Sequence, residues 1–97
     1  MSHFKELDPL LHSQLRLAVI SLLMSVESAD FTFIKEKTGA TAGNLSVQLD
    51  KLEKASYIEI NKSFRNKRPL TTCSMTNTGK KAFESYVKNL KNYIRAK

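Results

Sequence analysis

Residues 38–58 read TGATAGNLSVQLDKLEKASYI, and the spacing of three leucines decides what kind of segment this is. At about 100° per residue, Leu45, Leu49 and Leu52 fall on one face of a helix. Gly43, Val47 and Lys54 lie nearly opposite, flanked by Asn44, Lys51, Ser46 and Asp50. Thr41 is the expected N-cap, its hydroxyl placed to accept an amide two or three residues on. A helix face meant only for solvent is usually filled with Glu, Lys and Arg. Here the front of the helix is small and polar, which points to a surface that something large approaches.

Working outward, FTFIKEKTG predicts a short helix from about Thr32, closed by Gly39 as its C-terminal cap, with Phe33 and Ile34 packing inward. A short helix, a tight turn and a longer helix make a helix-turn-helix. Downstream, YIEINKSFRNKRPLTTCSMT alternates Ile58 and Ile60 with Glu59 and Asn61, then reaches a tip at Arg65, Asn66, Lys67, Arg68 and Pro69. It returns through a β-favouring run in which Thr71, Cys73 and Met75 share a face. No acidic residue stands between Lys62 and Thr78. A helix-turn-helix followed by such a hairpin is a winged helix, so the fold class is α+β, mainly α, closed by a long C-terminal helix.

The two outer helices are richer in apolar residues than one small domain needs. After Asp8-Pro9, the first helix is expected from near Ser13 to about Val26. Its residues Leu15, Leu17, Val19, Ile20, Leu22, Leu23, Met24 and Val26 point in nearly every direction. The last helix, over about 77–95 with Thr76 as N-cap, carries two overlapping stripes, 83/86/90/93 and 83/87/90/94. One stripe suffices to dock a helix on its own domain. A second copy of the chain is therefore expected against Leu15, Val19, Leu22, Leu23, Phe83, Tyr86, Leu90, Tyr93 and Ile94.

Composition bounds the possibilities. The length of 97 residues, with no repeat, linker or low-complexity tract, reads as a single domain over 1–97. The net charge is +7, and its distribution is uneven: −2 over residues 1–30, zero over 31–60, +4 over 61–78 and +5 over 79–97. Such a gradient points to a polyanionic partner. The longest apolar run, LAVISLLM at 17–24, is too short to span a bilayer and is not placed as a signal peptide, so a cytoplasmic protein with no membrane partner is expected. The lone Cys73 excludes an internal disulfide and fits a reducing compartment. His3 and His12 have no second thiol or clustered partner, and neither a metal site nor a cofactor is expected.

The run HSQLRLAVISLL, the following ADFTFIKEKTGATAGNLSVQLDKLEKASYI, the KRPLTT of the returning strand and the T-x-x-G at Thr76 and Gly79 together resemble the small winged-helix transcriptional regulators related to the MarR and ArsR groups, over about residues 8–95. The resemblance implies a DNA-binding homodimer whose first and last helices form the interface. Two departures stand out. Ser56 occupies the place of the usual glycine after the recognition helix, at a steric cost if the backbone is left-handed there. Cys73 stands where the family often has an aromatic, and the thiol pairs of some ArsR relatives are absent, so metal sensing is not implied.

Each feature also has a plainer structural reading. Gly43 can be a neutral surface glycine, or its missing side chain can let backbone amides approach a phosphate. Asn44, Ser46 and Gln48 can be ordinary surface polars, or contacts to base edges and phosphates. Val47 is either one of many exposed valines or a contact for a thymine methyl. Cys73 reads as a half-buried strand residue rather than a redox switch. The combined expectation is a homodimeric regulator that binds specific double-stranded DNA without catalysis. Its recognition helix would present Thr41, Gly43, Asn44, Ser46, Val47, Gln48 and Lys51, and its wing Lys62, Arg65, Lys67 and Arg68. The alternatives are a protein-interaction module or a non-specific nucleic-acid binder. A small-molecule effector between subunits would be compatible with this reading, but no residue identifies one.

Overall fold

The computed structural model describes residues 4–95; His3 and both ends of the expected domain, 1–3 and 96–97, lie outside the described residues. The chain runs α1 (Gln14–Leu23), β1 (Ala29–Asp30), α2 (Phe31–Thr38), α3 (Ala42–Lys54), β2 (Ile58–Arg65), β3 (Arg68–Met75) and α4 (Asn77–Arg95). The three strands form an antiparallel sheet in the order β1-β3-β2, in which Cys73 faces Ala29 on one side and Ile60 on the other. This is a helix-turn-helix with a β-hairpin wing and a long final helix.

Local chemistry accounts for most element boundaries. α1 stops at Leu23, three residues before the expected end: beyond it the Ser25 and Val26 amides reach back only three residues, to the Leu22 and Leu23 carbonyls, and the Ser25 hydroxyl shares the Leu22 carbonyl. α2 starts at Phe31, where the Asp30 carboxylate accepts the Phe33 amide at 2.8 Å. Gly39 closes that helix in the left-handed region at φ 73°. Phe33 does not pack inward as the sequence pattern implied: it is 37% exposed, with the Lys37 ammonium 5.6 Å from its ring centre, and Phe31 packs beside Ile34 in its place. The two-residue β1 had no expectation behind it.

Leu45, Leu49 and Leu52 are buried as their spacing requires, with Leu11, Val19, Ile20, Leu23, Ile34 and Ile58 closing around them. Each such side chain contributes about 1.5–3 kcal/mol relative to exposure. α3 ends in a Schellman turn, the Tyr57 amide reaching the Leu52 carbonyl at 3.0 Å and the Ser56 amide reaching Glu53 at 2.9 Å. That turn sets Ser56 at φ 65°, the left-handed conformation in which its Cβ carries the expected steric cost. Its carbonyl accepts the Thr76 hydroxyl at 2.5 Å, tying the end of α3 to the start of α4.

The molecule measures 56 × 25 × 21 Å, and α4 accounts for about 28 Å of helix at 1.5 Å per residue. The segment before α1 lies against α4. His12 Nδ1 is 2.9 Å from the Tyr86 hydroxyl, the Tyr93 hydroxyl donates to the Lys5 carbonyl at 2.8 Å, and the Phe4 and Tyr93 rings are 5.1 Å apart. The chain's own N-terminal segment thus meets the Tyr86 and Tyr93 side of α4. Val19, Leu23 and Tyr86, expected at a subunit interface, are core residues of the single chain, at 0%, 1% and 4% exposure. The reason is geometric: α1 packs on α2, α3 and β3, which covers Val19 and Leu23, and the N-terminal segment reaches Tyr86 through His12.

Candidate nucleic-acid interface

Thr41 caps α3 as its position demanded, its hydroxyl accepting the Asn44 amide at 3.2 Å. The amides of Ala42 and Gly43 are left without an intrahelical acceptor. Both residues are exposed, and nothing lies within 4 Å of where a Gly43 side chain would begin. Two outward-facing N–H groups at the positive end of a helix dipole attract an anionic oxygen. Along the same helix Asn44, Ser46, Val47 and Lys51 are exposed, Val47 by 51%.

Gln48 is different. It is half-buried and both ends of its amide are engaged: Arg16 Nη1 donates to its Oε1 at 2.5 Å, and its Nε2 donates to Asn44 Oδ1 at 3.0 Å. Arg16 in turn donates through Nε to the Leu10 carbonyl at 2.6 Å. Sequence reasoning passed over Arg16, although a signal existed: it is the only charged residue between Asp8 and Glu27.

The wing turns through Asn66 and Lys67 at φ 52° and 65°, the two left-handed residues of a tight hairpin turn. Lys62, Arg65, Lys67 and Arg68 are all exposed on this hairpin. Beside them stands Phe64, 76% exposed and opposite Pro69 in the ladder, an aromatic the sequence reading did not single out. Such a ring in a cationic setting has the chemistry to lie against a sugar or a base step. Between α3 and the wing runs a groove lined by Phe31, Ser46, Asp50, Ile60, Lys62 and Thr71.

Burial pushes the Cys73 thiol up to about 11, with the Glu53 charge adding to it. A neutral, fully covered thiol is a poor nucleophile. Burial also raises Tyr57 to about 12, assisted by its hydrogen bond to Asp8 and by that residue's charge. Among the described residues, no three His, Cys, Asp or Glu side chains converge in a way that would hold a metal ion, and no helix is long and apolar enough to cross a membrane.

On the outer side of α4, Phe83 and Val87 meet Met24 in a shallow apolar groove rimmed by Glu84, Lys88 and Lys91. Ile94 is 73% exposed further along the helix, and Leu15, Leu22 and Leu90 are half-buried.

Residues 15–94 match the family model of a winged helix DNA-binding domain. Over 76 residues the chain is 37% identical to an uncharacterized protein of Methanocaldococcus jannaschii, a match covering 78% of this chain and 83% of that protein. Among solved structures, a transcriptional regulator homologue from Pyrococcus horikoshii OT3 superposes with a TM-score of 0.82 at 26% identity, over 88% of this chain and 84% of the other. A mutant MarR from E. coli in complex with operator DNA shares the fold, with a TM-score of 0.69 at 19% identity, over 86% of this chain and 64% of that one. MarR and ArsR family regulators both occur among the structural neighbours.

Proposed function

Because this chain belongs to the winged helix DNA-binding domain family, we propose that it is a cytoplasmic transcriptional regulator that binds specific double-stranded DNA as a homodimer and catalyses no reaction. The observation that carries this reading is the front of α3: capped, exposed and unfilled by any bulky side chain, beside a wing with four cations. In this arrangement α3 enters the major groove with Thr41, Gly43, Asn44, Ser46, Val47, Gln48 and Lys51 toward the duplex. Lys62, Arg65, Lys67 and Arg68 then follow the neighbouring backbone. The partly apolar outer side of α4, with Phe83, Leu90 and Ile94, supports pairing with a second copy, assisted by Leu15 and Leu22 from α1 and by the edge of Tyr93. Such pairing sets the distance between two half-sites.

Selection of bound fragments from genomic DNA at physiological salt tests the reading. A palindromic site is the expected result, with half-sites about one helical turn apart or a multiple of that. Fragments without a shared sequence would reject specificity, and a species that sediments as a monomer at high micromolar concentration would reject the dimer. On the selected duplex, removing Lys67 and Arg68 together should lower the slope of log affinity against log salt by up to about 2, each lost phosphate contact accounting for about 0.9. Unchanged slopes with folded protein would exclude the wing as a phosphate clamp.

A further inference from the structure

We propose that Arg16, on α1 and away from the exposed face of α3, fixes the hydrogen-bonding polarity of that face, so that Asn44 meets DNA as a donor. The inference deepens the DNA-binding reading and rests on it. It starts from what an arginine is unable to do. A guanidinium has donors only, so the Gln48 atom 2.5 Å from Arg16 Nη1 must be the carbonyl oxygen. The amide nitrogen of Gln48 then points the other way, and the Asn44 atom 3.0 Å from it must be an acceptor, Oδ1. Asn44 and Gln48 are four residues apart on one helix, the spacing at which side chains meet. By elimination the Nδ2 group of Asn44, with both hydrogens, is the end left for a ligand, and Asn44 is exposed.

A free asparagine flips easily and reads either polarity; adenine, for instance, takes one donor and one acceptor from it. The relay removes that freedom. A donor group facing the major groove suits the N7 and O6 of guanine or the O4 of thymine, and it meets cytosine, whose edge offers only an N–H donor, unfavourably. Arg16 is a positioning residue in this scheme: two of its five N–H donors are committed, Nε to the Leu10 carbonyl and Nη1 to Gln48, and these hold the guanidinium against the Gln48 amide. Gln48 serves as the link between it and the reading group.

The test compares wild type, Arg16→Met and Asn44→Asp by selection from a randomised duplex library, with salt titrations on the wild-type site. Arg16→Met should flatten preference at one position in each half-site, reducing discrimination there by about fivefold or more, while other positions and the salt slope stay as in wild type. Asn44→Asp keeps the acceptor that Gln48 needs but has no donor to offer, so preference at that same position should shift toward cytosine. In the free protein, the side-chain amide resonances of Asn44 and Gln48 should move together in Arg16→Met.

A wild type that selects no sequence would sink the DNA-specific reading itself. If wild type selects a site but Arg16→Met returns the same base profile at every position, the relay does not set polarity. A uniform affinity loss with a salt slope reduced by about 0.9 would make Arg16 a phosphate contact and overturn the proposal. Should Arg16→Met fail to fold, Asn44→Asp decides: an unchanged preference at every position would reject Asn44 as the donor.

Discussion

Thr41 and Thr76 cap their helices alike, each hydroxyl accepting the amide three residues on, at 3.2 Å from Asn44 and 2.9 Å from Gly79. Each first turn also carries a glycine, and there the likeness stops. A side chain at Gly79 would begin 2.1 Å from the Tyr57 carbonyl oxygen and 2.8 Å from Met75 Cε, whereas one at Gly43 would meet nothing within 4 Å. Gly79 is dictated by its own chain, because the α4 backbone must approach the Tyr57 carbonyl, which the Thr76 amide also reaches at 3.2 Å. Among the described residues, nothing requires Gly43. The contrast separates a residue spent on building the fold from one left available for a partner.

The sharpest attempt to break that contrast is Gly79→Ala. Its Cβ would press on backbone rather than on a movable side chain, so the cost should reach about 3 kcal/mol or more, at or above the usual range for overpacking. Denaturant unfolding would show it as a lower midpoint or as no folded state at all. A loss below about 1 kcal/mol would mean that the seam between Tyr57 and α4 yields easily.

The same closed region should give way in alkali. The Cys73 thiol, held neutral by burial and then by the Glu53 charge, keeps its proton to about 11 against an ordinary value of 9.0. Below pH 9 the thiol is neutral in both states. From pH 9 to 11 the unfolded chain loses the proton and the folded chain keeps it, so stability falls as pH rises, by up to about 2–3 kcal/mol. Tyr57, raised from 10.0 to about 12, acts in the same direction between pH 10 and 12, in wild type and Cys73→Ala alike. Cys73→Ala should start from a lower stability and lose less of it between pH 9 and 11. Parallel pH curves for the two proteins would contradict a buried neutral thiol.

Ser56→Gly probes the turn feeding that seam. Ser56 sits at φ 65°, and relief of its Cβ crowding should add about 1 kcal/mol. DNA affinity should not change, since Ser56 belongs to the closing turn of α3 and not to its front. A destabilised variant would show that the flexibility glycine brings to the unfolded chain outweighs the relieved strain.

What the sequence revealed and what it hid divide along range. The α3 stripe, the Thr41 cap and the cationic wing turn are properties of neighbouring residues, and periodicity or capping chemistry exposes them directly. Ser56 was also legible, because a left-handed residue after a helix is a local demand. The contacts that were missed join distant positions: Arg16 to Gln48, Tyr93 to Lys5, and the Tyr57 carbonyl to α4. They explain why the double stripe of α4 overstated the surface open to a partner. One side of it meets residues near the N-terminus, a segment with no helical period to announce it. β1 was hidden for a related reason: two residues carry no alternation, and only pairing with Cys73 and Thr72 makes them a strand.

The smallest expected change in stability tests the other half of the contrast. Gly43→Ala places a methyl group in open space on an exposed first turn, where alanine is the better helix former, so the variant should be more stable by about 0.5 kcal/mol. If Gly43 were a neutral surface glycine, that gain would be the whole effect. If instead the Ala42 and Gly43 amides approach a phosphate, the added Cβ holds the backbone away from it and DNA affinity should fall while stability rises. The measurement is a pair: thermal unfolding of the free protein and affinity for the selected duplex. Opposite signs assign Gly43 to the interface. A stabilised variant with undiminished affinity would remove Gly43 from it, leaving Thr41, Asn44 and their neighbours to account for the close approach of α3.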